Sequence, residues 1–539
     1  MPESARGYRD LDSAAAEKLS GLWVAAALGD APSQPLTPLA WDLALEDADL
    51  LERALDRRGA SLPRRSRRLV AVAGHAYHAF LPLVRASREL IPLQPWHLAL
   101  AIACEARGEV ERLFPARPRK ISKRSLMLWV ARLTRTLARL SARIVGHEQH
   151  ASQHYRWLTE MDLGILPDDA LATTLRECWS ICRASRRLEI EATLDLLNAY
   201  AALCALCETA RLGDPMPLAA SALIPDPLGL PTATPTLSAL AWASAARSGA
   251  SDEMGQWQSF SAALHAHGPG ERSLLAPHFG ERPTQLAALF QRLKQAGDGA
   301  FETRISRVRR LRSEELQHAL ELCGALGGGL LKTLFALIGR FVSLRSRSHV
   351  VRSRTLGMLR TAVLDVDRRL KRLLHTRPSS VFFLRLKELL ESTLRPDPAL
   401  LERVRTRREA FDAAAALAPP RAVLGRQALP DRATRSLTGV GLGGERAIGA
   451  ACVATNLDTA LSLEPSGVLV LRSLDPGLGP ALLSASAIVT DVGGLTDEGV
   501  LLARSLGIPL VIGTRDATAQ LATGEKVTVD AREGRVWVS

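Results

Sequence analysis

Aromatic side chains are scarce in this 539-residue sequence, where 11 Phe, 9 Trp and 4 Tyr make up 4% of the chain. The basic clusters Arg64, Arg65, Arg67, Arg68 and Arg345, Arg347, Arg352, Arg354 have no aromatics between them. A single-strand nucleic-acid platform, in which bases stack on rings set among cations, is therefore disfavoured. Cysteines number only seven, an odd count scattered from Cys104 to Cys452 in mostly apolar stretches. That excludes a disulfide scaffold and fits reduced, buried thiols. Cys204 and Cys207 have CxxC spacing, but no βαβ pattern precedes them and no second pair follows at zinc-ribbon distance, so they read as core positions. The N-terminal stretch Met1–Asp12 carries charges and has no apolar h-region, which argues against a secretory signal. The best membrane candidate, Leu320–Val342, is interrupted by Glu321, Lys332, Arg340 and Gly327-Gly328-Gly329, and reads as a buried helix pair. A cytoplasmic protein with no membrane partner is expected.

What the sequence does have is ordinary globular composition, 47% apolar and 23% charged, and length for about two to four domains. Its 69 Lys+Arg and 56 Asp+Glu give a net charge of +13. Residues 426–539 hold 10 Lys+Arg against 12 Asp+Glu, or −2, so the remaining +15 lies on residues 1–425. Scattered arginines are most simply solvated helix faces, and nucleic-acid binding through them is the third-ranked reading of function.

From about residue 10 to 417 the pattern is helical, with apolar residues three and four apart in Ala/Leu/Arg-rich segments such as Leu126–Leu140 and Leu171–Thr209. Proline-rich breaks fall at Pro32–Pro38, Pro63, Pro115–Pro118, Pro215–Pro235 and Pro277–Pro283. No repeat period emerges. After Ala418 the composition changes: Pro419, Pro420 and Pro430 and then Gly439, Gly441, Gly443 and Gly444 read as a surface linker and turn over residues 421–444. Short apolar runs follow at Ile448–Val453, Val468–Leu471, Ala487–Val489, Leu510–Ile512, Val527–Val529 and Val536–Val538, each a strand, with a helix at Glu498–Leu506.

The most informative stretch runs Thr490-Asp491-Val-Gly493-Gly494-Leu-Thr496-Asp497-Glu498-Gly499, then through Ala503-Arg504 to Gly507-Ile508-Pro509 and Gly513. A buried strand enters a Gly-Gly turn, Thr496 caps a helix, Gly507 ends it and Pro509 opens the next strand. Backbone N–H groups at such a helix start suit an anion.

This stretch resembles the phosphohistidine swivelling domain of the PEP-utilising enzymes, the family of PEP synthase, pyruvate phosphate dikinase and rifampicin phosphotransferase, whose pattern is approximately T-x-x-G-G-x-S/T-S-H-x-A-I-x-A-R-x-x-G-I-P-x-V-x-G. Thr523, Gly524, Val527, Val529, Asp530, Gly534 and Val536 match the strand pair that follows in that family. Upstream, Gly467–Val470 with Asp475-Pro476, Val381–Leu384 and Pro35–Trp41 are similar to further segments of rifampicin-phosphotransferase-like members. The resemblance implies a multidomain protein: a mainly α-helical large domain over 1–420, like the family's rifampicin- or PEP-binding region and open to a small-molecule ligand, a linker over 421–444, and a small β/α phosphohistidine-type swivelling domain over 445–539. The family's ATP-grasp part has no counterpart in the chain, which implies a separate ATP-grasp polypeptide as a partner if transfer occurs at all.

The departures from the family matter most. The phosphohistidine position is Glu498, preceded by Asp497 where Ser is usual, and residues 376–539 contain no histidine. A carboxylate repels an incoming phosphoryl group and gives a labile acyl phosphate, whereas a neutral imidazole attacks phosphorus readily. The family's Y-G-H-R-G segment resembles Phe279-Gly280-Glu281-Arg282-Pro283, where a second histidine is also glutamate. The resulting candidate set is Glu498, Asp497 and Thr496 at the carrier position, Gly493, Gly494 and Arg504 for phosphate, and Arg282 and Glu281 in the substrate region.

Glu498 has three readings. It complements the helix dipole by roughly 0.3–1 kcal/mol, it or Asp497 forms an acyl phosphate, or its fixed charge imitates the phosphorylated state and holds the domain on a basic surface. A non-catalytic binding or regulatory subunit is the first expectation, and an active subunit of a split phosphotransferase the alternative. No cofactor or metal is expected. His147, His150 and His154 share a helix face but miss H-E-x-x-H spacing and read as solvated, while His75 and His78 read as core or interface positions of an apolar helix. Gly327–Gly329 reads as a helix–helix break.

Overall fold

A computed structural model of the protein describes residues 22–24, 35–59, 69–72, 74–80, 83–84, 94–114, 121–210, most of 212–248, parts of 270–291, 299–323, 325–395, 397–417, 422–424, 427–428, 437–454 and 457–539. The clusters Arg64–Arg68 and Pro115–Pro118, and Pro283 of the Phe279 segment, lie outside the described residues.

Six helices carry the larger part: α1 (Pro38–Asp56), α2 (Pro95–Ile102), α3 (Lys123–Glu160), α4 (Asp168–Ala210), α5 (Gly299–Leu322) and α6 (Ala325–Leu374). Their starts follow local chemistry. Thr37 accepts a hydrogen bond from Ala40 N at 3.3 Å with Pro38 in the first turn, and Ser122 accepts one from Ser125 N at 3.1 Å. Leu171–Thr209 is one helix, 43 residues long as α4, and it lies between α3 and α6. The segments Pro35–Trp41 and Val381–Leu384, far apart in the chain, meet in one core: Leu39, Val381, Phe382 and Phe383 share a buried cluster, and Leu386 N donates to Asp42 at 2.7 Å.

Three helical expectations change. The helix break falls between Leu322 and Ala325, so Gly327–Gly329 lie inside α6. His75 and His78 sit on a strand: β1 (Leu22–Val24), β2 (Leu69–Val72), β3 (His75–Ala79), β4 (Ala422–Leu424) and β5 (Gln427–Ala428) form a sheet in the order β2-β3-β1-β4-β5. Short apolar runs suit helix or strand alike, and pairing decided this one. His147 and His154 turn toward α4, with His147 Nε2 2.7 Å from Ser185 Oγ and His154 Nε2 3.8 Å from Cys178 Sγ, so of the three only His150 is exposed. Cys204 and Cys207 are buried free thiols on α4.

Among the described residues two helices are long and apolar enough to cross a membrane by length and composition. The apolar window of Asp168–Ala210 is 94% buried within the protein, and that of Gly327–Leu374 is 44% buried.

The C-terminal part is an eight-stranded mixed sheet, β6 (Leu437–Thr438), β7 (Val440–Leu442), β8 (Arg446–Ala454), β9 (Gly467–Leu471), β10 (Ala485–Thr490), β11 (Leu510–Ile512), β12 (Lys526–Asp530) and β13 (Arg535–Val538), in the order β6-β13-β12-β8-β9-β10-β11-β7. Strands β8 through β11 are parallel neighbours. Stretches assigned to the linker are therefore strands: 422–424 and 427–428 complete the first sheet, and β6 and β7 sit at opposite edges of the second. Gly439 and Gly441 serve close approach at this closure, since a Cβ would lie 2.4 Å from Ile512 O and 2.3 Å from Ala531 O respectively.

Both faces of this sheet are covered, as its continuous apolar strands require. Val468, Val470, Ala487, Val489 and Val511 face a core of the sheet's own. Their alternates Leu469, Leu471, Ile488, Leu510 and Ile512 belong to the main core, together with Leu98–Ala103 and residues of α4 and α6. One apolar core thus runs through both parts of the molecule.

Candidate functional site

Strand β10 ends at Thr490, and the chain turns through Gly493, at φ +146°, into helix α7 (Glu498–Ser505). The loop between them lies against residues 100–105, the last turn of α2 and the short 3-10 turn that follows it. Leu495 N donates to Leu100 O at 2.9 Å, Thr496 N to Ala101 O at 3.0 Å, and Cys104 N to Gly493 O at 2.8 Å. Gly494 permits this contact, because a Cβ there would lie 2.3 Å from Ala101 O. Gly493 N donates to Glu105 Oε2 at 3.2 Å and Gly494 N to Asp497 Oδ2 at 2.9 Å, so acidic side chains of this chain occupy the two N–H groups expected to hold phosphate.

Thr496 is not the helix cap. Asp497 holds that position, and the Thr496 hydroxyl donates to Ala101 O at 2.7 Å. Arg504 is buried on α7 and donates through Nη2 to Ala220 O. Burial pushes its guanidinium down to about 10.

Glu498, the first residue of α7, has no solvent exposure. Its Oε1 accepts from Thr232 Oγ1 at 2.8 Å, and its Oε2 lies 3.0 Å from Nη1 of Arg345, which is itself 1% exposed on α6. Arg345 also donates to the Thr496 carbonyl through Nη1 and to Thr193 Oγ1 through Nε at 3.0 Å, and Ser346 Oγ lies 2.9 Å from Thr232 Oγ1. One guanidinium and one hydroxyl therefore hold the carboxylate, and Thr193 and Ser346 bond those two in turn. A phosphoryl donor has no approach to it in this arrangement, and a nucleophilic oxygen would first have to leave Arg345 or Thr232.

Glu281 and Arg282 are not brought to this place. Glu281 pairs with Arg360, Oε1 to Nε at 2.7 Å and Oε2 to Nη2 at 2.9 Å, while Arg282 Nη1 donates to Gln285 at 3.1 Å. The Arg360 pair holds the Glu281 carboxyl below its ordinary range against the opposing effect of burial. Arg345 and Arg360 are fifteen residues apart on one helix, roughly 22 Å along its axis. The two glutamates standing at family histidine positions are thus each held by an arginine of α6.

Arg345, Thr232, Thr193 and Glu105 were not singled out as site residues in the sequence. A signal was present for the first: Arg345, Ser348, His349, Arg352 and Ser353 recur at helical spacing within an apolar helix, a polar stripe that had to face a buried partner. Its neighbours Arg352 and His349 meet Glu189 of α4 at 3.2 and 2.9 Å. Among the described residues, no group of three or more His, Cys, Asp or Glu side chains converges as a metal site.

Part of the chain is similar in sequence to known proteins. Residues 463–534 match the family described as PEP-utilising enzyme, mobile domain. A probable phosphoenolpyruvate synthase of Pyrococcus horikoshii is 42% identical over 99 residues, covering 18% of this chain and 12% of the relative. A pyruvate kinase of Lactobacillus delbrueckii subsp. bulgaricus is 38% identical over 100 residues, 18% of this chain and 17% of that protein. With a rifampicin phosphotransferase of Streptomyces sviceus the match is 26% over 283 residues, 50% of this chain and 32% of the relative, and so extends beyond the C-terminal sheet. The chain spans less than a third of the length of each of these relatives. Within this chain, residues 463–534 are what resembles the mobile domain of the PEP-utilising enzymes.

Proposed function

We propose that this chain is a PEP-utilising-family protein whose carrier position has become a latch, so that it works as a binding or regulatory subunit and does not shuttle phosphoryl groups. The single observation carrying this reading is the burial of Glu498 against Arg345 and Thr232. An anion at the carrier position repels phosphate, and the same charge paired with a guanidinium fastens the domain to α6. The helical domain would then serve as the ligand-binding part, and an ATP-grasp polypeptide, if one associates, as a partner that senses the docked state.

The test is phosphoryl incorporation. The purified chain, incubated separately with labelled ATP and labelled PEP, is expected to retain no covalent label. Hydroxylamine-sensitive label at Glu498 would overturn the reading. So would ATP consumption with a co-expressed ATP-grasp polypeptide that Glu498→Gln abolishes.

A further inference from the structure

A second feature lies away from the latch. Helices α5 and α6, with Ile224, Asp226, Pro227 and Ser505 at the end of α7, line a cavity of about 360 Å³, within the size range of small-molecule pockets, about 300–1,000 Å³. Three cations, Arg309, Arg312 and Lys332, line it against one carboxylate, Asp226. Asp226 is gripped through both oxygens by Arg309, at 2.9 and 2.8 Å. Arg312 and Lys332 have no ion pair among the described residues.

Arg312 is the informative one. Its guanidinium lies 5.2 Å from the centroid of the Phe335 ring, and its Nε is buried with no hydrogen-bond partner. Burial lowers its pKa, yet a guanidinium stays charged at neutral pH. Asp226 acts on it across the cavity but has both oxygens on Arg309, so the buried Arg312 charge is compensated only in part; that is unfavourable, and an oxyanion in the cavity would relieve it. Apart from Ser313 and Ser505 the remaining wall is apolar, with Ile305 and Phe335 among its residues.

We propose that this cavity binds a compact organic anion, a carboxylate or phosphate monoester carrying an apolar body of about one ring, with Arg312 and Lys332 as counter-charges and Phe335 against the body. Because Ser505 belongs to the mobile domain, the cavity is complete only while that domain is docked, so ligand and docking stabilise each other. The proposal goes beyond the latch and is tested without any phosphoryl transfer.

Calorimetric titration of the full chain with phenyl phosphate, benzoate, inorganic phosphate and benzyl alcohol is the experiment. At least one of the two aromatic anions should bind saturably, and the tighter of them identifies the head group. Inorganic phosphate and benzyl alcohol should each bind at least tenfold more weakly. Lys332→Gln, at an exposed position, and Ala336→Phe, which fills the mouth, should each weaken the aromatic anion about tenfold while leaving the circular dichroism spectrum unchanged. Absence of saturable binding by both aromatic anions, equal affinity for benzyl alcohol, or affinity unchanged in both variants would overturn the proposal.

Discussion

The Glu498 carboxylate meets the Arg345 guanidinium at 3.0 Å across the boundary between the mobile domain and α6, and neither side chain is more than 1% exposed. Burying two charges is costly, so the pair is not by itself a source of stability. Removing one partner, however, strands the other in a poorly solvating place.

Arg345→Met should therefore lower the unfolding free energy by about 3–5 kcal/mol, and the double variant Arg345→Met with Glu498→Leu should recover most of that loss. Urea titration of the wild type, both single variants and the double variant closes the cycle. A double variant no more stable than the worse single one would mean the two side chains are not coupled.

Gly494→Ala places a Cβ 2.3 Å from Ala101 O and 2.6 Å from Ile102 Cα, contacts that only a shift of backbone can relieve. The loop should lift from residues 100–105, and the amides of Leu495 and Thr496, which bond to Leu100 O and Ala101 O, should exchange faster with solvent deuterium. Gly146→Ala is the control, since on α3 it meets nothing within 4 Å and should stabilise by about 0.4–1 kcal/mol. Equal protection of Leu495 and Thr496 in wild type and Gly494→Ala would show that the loop is not seated as described.

Burial pushes the Glu105 carboxyl up to about 8 from an ordinary 4.5, and the His75 imidazole down to about 4 from 6.5. Between pH 4.5 and 8 the native state holds a proton on Glu105 that the unfolded chain has released, so this group stabilises at low pH and the benefit is lost as pH rises through 8. His75 acts oppositely, losing stability as pH falls from 6.5 through 4. The interval from 6.5 to 8 isolates Glu105, where its contribution should fall by up to about 1.4 kcal/mol per pH unit. Glu105→Gln should flatten that slope in thermal unfolding curves, and an unchanged slope would show that Glu105 is ionised in the native protein.

Much of the mobile domain was legible because its signals are local. Apolar runs of strand length lie between glycines and prolines, and the observed strands extend the expected ones by a residue or two. The partner of Glu498 was not legible. A charge at a helix start is equally well explained by the dipole, and nothing local to residue 498 points to a residue 153 positions away. Arg345 was read with its neighbours as part of a solvated cluster, although its spacing with Ser348, His349 and Arg352 already described a buried stripe. Gly439 and Gly441 misled for a related reason: the glycine that frees a linker is also the glycine that lets two backbones touch.

The first sheet has a mechanical corollary. Strand β4 pairs with β1 and with β5, so the chain is fastened to the helical part as far as Ala428, and the second sheet begins at Leu437. Nine virtual bonds separate those anchor points, a leash of roughly 30 Å at full stretch. Were the proposed latch released, the C-terminal part could travel no further than that radius, and any site it reached would lie inside it.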